Sequence, residues 1–600
     1  MANNIRIGGA SGFWGDSSIA APQLVKGGKL DYLVFDYLAE ITMSIMARAR
    51  AKDSAQGYAL DFVSQTLRAI LKDCAAQGIK VISNAGGVNP IACGKAIEAL
   101  ADELGLDLKV AVVTGDDLID KAETFRARGL TEMFSGAPFP ATLMSINAYL
   151  GAVPIAEALN RGADIVVTGR CVDSAVTLGA CLHAFQWKLD DYDRLAGGSL
   201  AGHIIECGAQ ATGGLFTDWK DVPDWANIGY PVAEVAADGS FTVSKPADTG
   251  GLISAATVAE QLLYEIGDPS AYILPDVTCD FTSVGIEQIG TNLVRVSGAR
   301  GRPATESYKV SATYQDGYGI NIFVPITGID AEGKVLKTGE AVLRRVSNML
   351  RQRNLPDFSE SRIEIVGAEA EYGPHRRITS AREVVLKLSA KHGTPQVLAS
   401  LLREATSSGT SMAVGTSGMG GARPKPSPIV RLFSFLLPKT EVGVQVHLAG
   451  KAYDVAIPAG QRLDAVPPAR PGLAEGALVA GPMVEVPLVA LAWGRSGDKG
   501  DSANIGIIAR RPEYLHWIRE TLSDEAVRAH FSHLMRGRVD RFEVPGINAL
   551  NFLLHQSLGG GGIASLHKDA QGKAYAQILL DYPIKVPRTL AQRDGLTIAS

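Results

Sequence analysis

The chain has 600 residues, 46% apolar and 20% charged, with a net charge of −5. That length exceeds what one hydrophobic core serves, so two or three domains are expected in an ordinary globular protein. The charge offers no electrostatic footprint for nucleic acid or for an anionic membrane surface. The N-terminus lacks a basic region followed by an apolar stretch, and no run of about 18 apolar residues occurs, so a cytoplasmic protein with no membrane partner is expected. The six cysteines never fall as C-x-x-C, which argues for free thiols over a disulfide framework or a Cys-rich zinc site.

In chain order, residues 5–8, 32–35, 80–83, 109–114 and 164–168 read as short apolar strands. Helical stretches separate them, for example 59–76 and 94–104. Strands alternating with helices predict right-handed crossovers and a mostly parallel α/β sheet, with ligands outside the carboxyl ends of the strands. The unusual motifs lie there: GGASGFWGDS after the first strand, DYLAE after the second, SNAGGVNP around the end of the third, TGDD after the fourth and TGRCVDS after the fifth.

Gly9, Gly12 and Gly15 recur every three residues after the first strand, and Ser11 among them is a substrate-binding candidate. The spacing is not G-x-G-x-x-G, so no nicotinamide cofactor is expected; a tight turn without ligand is the plainer alternative. Asp36 and Glu40 can pair for proton transfer or cation binding, or Asp36 can cap a helix beside a solvated Glu40. Asn84 offers an amide to a ligand carbonyl or only supplies a turn. Arg170 can clamp a carboxylate or phosphate while Asp173 begins a helix; a structural Arg170–Asp173 pair is the alternative. Ser174 and Cys171 are nucleophile candidates without an adjacent histidine. In AGHIIECGAQATGG, His203 and Glu206 share a helix face as an acid/base pair, a metal pair lacking its third ligand, or a structural pair.

From about residue 216 to 310 shorter runs predict a β-rich insert, followed by an α+β part with strands at 308–312, 319–325, 361–367 and 384–390 and helices at 341–351 and 394–406. A Gly-, Pro- and Ala-rich linker over 456–482 separates a large domain, 1–455 with its α/β core at about 1–215, from a small α+β sandwich at 483–585 and a tail at 586–600. The small domain predicts strands at 484–493, 503–509, 541–544 and 575–582, a helix from 513 to 522 continuing toward 535, and a helix or apolar segment at 549–555. Between its first two strands, residues 495–501 read as a charged turn. There Asp498, Lys499, Asp501 and Asn504 are substrate-binding candidates, with Lys499 held protonated between carboxylates to orient an anion; a self-neutralised surface turn is the alternative. The run Gly559, Gly560, Gly561 and Gly562 suits a backbone nest for a phosphate or thioester oxygen, or a flexible hairpin.

These motifs together resemble the acyclic terpene utilisation (AtuA-type) family over nearly the whole chain, in the order of a large domain then a small one. The resemblance implies a catabolic enzyme acting on a branched acyl-CoA or related carboxylate. The absence of a redox-cofactor fingerprint and of a nucleophile elbow makes a lyase the first choice, by carbon–carbon cleavage of a 3-hydroxyacyl thioester or by hydration and dehydration. In that reading Arg170 and Lys499 anchor anionic groups, and Asp173, Glu40 or Glu206 moves a proton with His203 beside it. A non-catalytic assembly or ligand-binding protein, or a hydrolase using Ser174 or Cys207, are the alternatives. No cofactor is expected, a divalent metal stays open, and the expected partners are a small-molecule substrate, such as a CoA thioester, and further copies of the chain in a homo-oligomer.

Overall fold

The computed structural model describes residues 4–418, 423–462 and 481–596. Most of the expected linker, from 463 to 480, lies outside these described residues, as does the end of the tail.

Strands Asn4–Gly9, Tyr32–Phe35, Lys80–Ser83, Ile165–Thr168 and Val110–Thr114 lie side by side in that order, all parallel. Their apolar residues are buried on both faces, by helices Ala20–Gly27, Arg68–Gln77 and Pro90–Leu104 on one side and Val153–Asn160, Ala175–Phe185 and Tyr192–Ile205 on the other. The sheet does not stop there. Antiparallel strands Val232–Ala236 and Gln445–Leu448 close its two flanks, and eleven described strands form one mixed sheet. The region expected as a β-rich insert therefore extends the central sheet itself, because Val232–Ala236 pairs directly with the first strand.

A second sheet is built on Ser307–Thr327, a single 21-residue strand where the sequence suggests two. Its polar interruption shifts the register between Gln315 and Tyr318 without breaking the ladder to Ser427–Pro438. Helices Ala331–Gln352 and Pro395–Ser411 pack on one face through Val335, Val342, Leu398 and Leu401.

The small domain carries a four-stranded antiparallel sheet ordered Ala492–Lys499, Ser502–Ala509, Ala549–Leu554, Val539–Val544. Four expectations need correction. Residues 549–555, expected as a helix or apolar segment, form the central strand Ala549–Leu554. The first strand breaks after Pro487, which cannot donate to a ladder, and Met483–Pro487 pairs instead with Pro583–Pro587. The segment expected as a strand at 575–582 forms helix Tyr575–Leu579, because a short apolar run fits either period until its surroundings choose. The charged stretch at 495–501 is not a loop: the strand runs to Lys499, which pairs with Ser502, so the turn is only residues 500 and 501.

Candidate functional site

The carboxyl ends of the parallel strands bring Ser11, Asp36, Asn84 and Arg170 to one edge. Asn84 donates through Nδ2 to Asp36 Oδ1 at 2.5 Å and accepts the Tyr37 N–H at 2.7 Å, while Ser11 Oγ donates to the Asp36 carbonyl at 3.1 Å. All three are buried. Asp36 is not a helix cap; burial, then the charge of Asp173, pushes its carboxyl well above the usual range. The glycines before it serve packing: a Cβ on Gly9 would lie 2.4 Å from the Ile205 carbonyl, and one on Gly12 would lie 2.9 Å from the Cys207 carbonyl carbon.

Arg170 follows the fifth parallel strand and is 4% exposed. Its backbone N–H donates to Asp116 Oδ2 at 2.8 Å, and Nη1 donates to the Cys171 carbonyl at 2.9 Å and to Asp173 Oδ1 at 2.8 Å. The guanidinium stacks over Tyr149, 4.2 Å from the ring centre, and Nε has no hydrogen-bond partner. Buried donors are almost always satisfied, so this edge of the fork is suited to an incoming anion. Asp116, which sequence reasoning passed over within TGDD, also accepts from Asn147 Nδ2 at 2.9 Å, and burial pushes it up to about 7. Gly169 leaves room for it, since a Cβ there would sit 2.3 Å from its Oδ1. Glu40 opens helix Glu40–Lys52 and accepts the Tyr149 hydroxyl. Burial would raise its carboxyl, but Lys309, Arg170 and Tyr149 outweigh that and hold it at about 2.

His203, in helix Tyr192–Ile205, and Glu206, just past its end, meet at 2.9 Å between Nδ1 and Oε1. The other ring nitrogen lies 3.1 Å from the Leu262 carbonyl, which can only accept, so Nε2 carries hydrogen. A neutral imidazole then accepts at Nδ1 from a protonated Glu206. Burial drives both groups that way: it pushes His203 down to about 4, and it pushes Glu206 well above the usual carboxyl range with help from Asp173. Glu206 Oε2 is buried without a partner.

The small domain completes this pocket of charge. Alternation along strand Ala492–Lys499 puts Arg495, Gly497 and Lys499 on one face, which lies on helix Ala255–Leu263 and the residues after it. Arg495 bonds Glu260 at 3.0 and 3.2 Å, a Cβ on Gly497 would meet the Tyr264 ring at 2.5 Å, and Lys499 Nζ sits 5.4 Å from the Tyr272 ring centre. The Asp498 carboxyl is raised by burial, with Lys573 opposing and Glu40 adding to the rise, so this strand end and the large-domain strand ends share one electrostatic environment. Asn504 is spent on docking: it accepts the Glu265 N–H at 2.9 Å and donates to the Leu263 carbonyl at 2.6 Å. Glu265, at φ 57°, is pushed up to about 7 by burial and Asp498, and Lys573 reaches it at 3.8 Å while bonding the Tyr264 hydroxyl.

All four glycines from Gly559 to Gly562 have positive φ, of 62°, 97°, 67° and 49°. Asp501 Oδ1 takes the Gly560 N–H at 2.6 Å, so one donor of the expected nest is occupied by the protein itself. The loop rests against helix Glu40–Lys52, where a Cβ on Gly562 would come 3.3 Å from Ile41. Ser174 precedes helix Ala175–Phe185 and makes no capping bond. Burial, then the charges of Glu206 and Glu265, push the Cys207 thiol well up, which disfavours the thiolate a nucleophile needs. Asp116, Tyr149, Glu265, Tyr272 and Lys573 were missed, because single residues in ordinary contexts carry no local signal. Among the described residues no group of three or more His, Cys, Asp or Glu side chains is arranged to hold a metal ion, and no helix is long and apolar enough to cross a membrane.

The family model described as acyclic terpene utilisation family protein AtuA matches residues 5–448, more than half the chain. The chain belongs to this family. A second model, the AtuA ferredoxin-like domain, matches residues 486–585, the antiparallel module that supplies Lys499 and Lys573. The family assignment carries a catabolic role in acyclic terpene utilisation. Neither a curated protein nor a solved structure matches the chain.

Proposed function

We propose that this AtuA-family protein is a lyase acting on a branched acyl thioester, such as a CoA ester, or a related carboxylate. The observation that carries the reading is a buried carboxyl, Glu206, kept protonated by its surroundings and with Oε2 unpartnered, in a cluster where Arg170 also has an unpartnered Nε. Such a carboxyl is a general acid at neutral pH once rotation about its terminal bond turns the O–H from His203 towards the substrate, and such a guanidinium is an anion anchor. In dehydration of a 3-hydroxyacyl thioester, Asp173 removes the proton next to the thioester carbonyl while Glu206 protonates the departing hydroxyl as water. In carbon–carbon cleavage, Asp173 takes the hydroxyl proton and Glu206 delivers one to the carbanion that leaves. Asp36 and Glu40 shape the field around them, and Lys499 with Arg170 holds the anionic end of the substrate.

The test is incubation with branched 3-hydroxyacyl and 2-enoyl thioesters in D2O, with and without a divalent cation, read by mass spectrometry. Turnover or deuterium uptake that is lost in Glu206→Gln, with ligand-induced thermal stabilisation kept, supports the reading. Wild-type turnover in Glu206→Gln removes the acid, and stabilisation with neither turnover nor exchange favours a ligand-binding protein.

A further inference from the structure

A cavity of about 410 Å³ lies between the two modules, adjoining the charged cluster. Phe216, Trp219, Trp225 and Ile228 line it from the large domain, and Ser496 and Lys573 from the small one. Its volume is within the range of sites for single small molecules and its wall is mainly aromatic and aliphatic. Trp219 and Trp225 tilt against each other at 5.9 Å between rings, yet remain 54% and 58% exposed. Two large aromatic surfaces left that open beside a cavity are available to a further apolar group.

Lys573 belongs to both places. It lines the cavity, and its ammonium bonds the Tyr264 hydroxyl and lies 3.8 Å from Glu265 Oε1. The small-domain strand makes the same connection: Arg495 lines the cavity, and four residues further along the same face Lys499 stands over Tyr272. Four residues of extended strand span about 13 Å. We infer that this cavity is the binding site for the branched apolar tail of the substrate, with the chain passing Lys573 so that its anionic head reaches the Lys499–Arg170 cluster. The occupant is a medium-length branched acyl chain, and this assignment rests on the reading of the charged cluster given above. It also gives the small module a reason to be docked there, since neither module alone forms both the tail cavity and the head cluster.

The experiment is isothermal titration of the full chain with dimethyloctanoic acid, comparing wild type with Trp225→Ala, Ile228→Trp and Arg170→Lys. Trp225 is more than half exposed, so its removal leaves the fold intact, and Ile228→Trp tests the same cavity by filling it. The expected result is a loss of about tenfold in affinity for each cavity variant, a change easily resolved by titration. Weaker binding in the cavity variants but not in Arg170→Lys also supports the cavity and counts against Arg170 as head anchor. Unchanged affinity in both cavity variants with loss in Arg170→Lys overturns the tail site while leaving the proposed reaction standing. Absence of saturable binding to the wild type overturns the tail site as well.

Discussion

A buried ion pair between Arg495 and Glu260 helps to dock the two modules, and Arg495→Met tests it. Arg495 and Glu260 have side chains 4% and 0% exposed, and Arg495 also donates to Gln210 at 2.7 Å and to the Gly214 carbonyl at 3.0 Å. Removing the arginine leaves a buried carboxylate whose remaining partners are the Thr217 N–H and hydroxyl. Breaking such a pair costs about 3–5 kcal/mol, and the Thr217 bonds hold the estimate near the lower end. Glu260 is already raised by burial against the pull of Arg495, and losing Arg495 raises it further. A folded state that keeps the proton above the unfolded pKa binds more protons than the unfolded state, so stability falls as pH rises through that window, by about 1.4 kcal/mol per unit. The deficit of Arg495→Met is therefore greater at neutral pH than at a pH near the unfolded carboxyl value. Hydrogen exchange of strand Ala492–Lys499 reads it locally, with about 100-fold faster exchange expected for a loss near 3 kcal/mol. The double variant Arg495→Met with Glu260→Leu should recover most of it. An exchange rate within about threefold of wild type at both pH values, less than 1 kcal/mol, would refute the reasoning.

The glycine loop should discriminate its members. Gly561→Ala places a Cβ 2.2 Å from the Gly500 carbonyl at φ +67°, whereas Gly560→Ala meets nothing closer than 3.5 Å, so both should lose about 1–2 kcal/mol for the left-handed backbone and Gly561→Ala distinctly more in chemical denaturation. Gly497→Ala forces the Tyr264 ring to move and should cost about 1–3 kcal/mol by overpacking, together with a drop in substrate affinity as Lys499 shifts; equal affinity to wild type would show that Lys499 is idle. His530 is pushed down to about 4 by burial and by His375, stacked on it at 4.0 Å, so the unfolded chain binds more protons between the unfolded value near 6.5 and 4. Melting temperature should therefore fall as pH drops through that window, and His530→Phe should flatten the fall; an unchanged slope would place the acid sensitivity elsewhere.

The five parallel strands were legible in the sequence because alternating apolar runs and helical stretches are local signals, and crossover handedness then sends every following loop to one edge. Ser11, Asp36, Asn84 and Arg170 could be placed together on that basis alone. The pairing of His203 with Glu206 was legible for the same reason, since a spacing of three residues fixes a shared face. What the sequence could not determine is what each group is bonded to. Asn504 and Asp501 both read as substrate-binding residues, yet Asn504 is used in docking and Asp501 fills part of the glycine nest itself. Glu265 and Lys573 lie 308 residues apart and meet only when the small module is seated. Protonation was decided at the same level, because the shifts of Glu206, Asp116 and Glu265 come from desolvation by segments distant in the chain. Period and turn chemistry act over a few residues and were written in the sequence; burial and the charges that share it are sums over the whole fold, and only the tertiary structure supplies them.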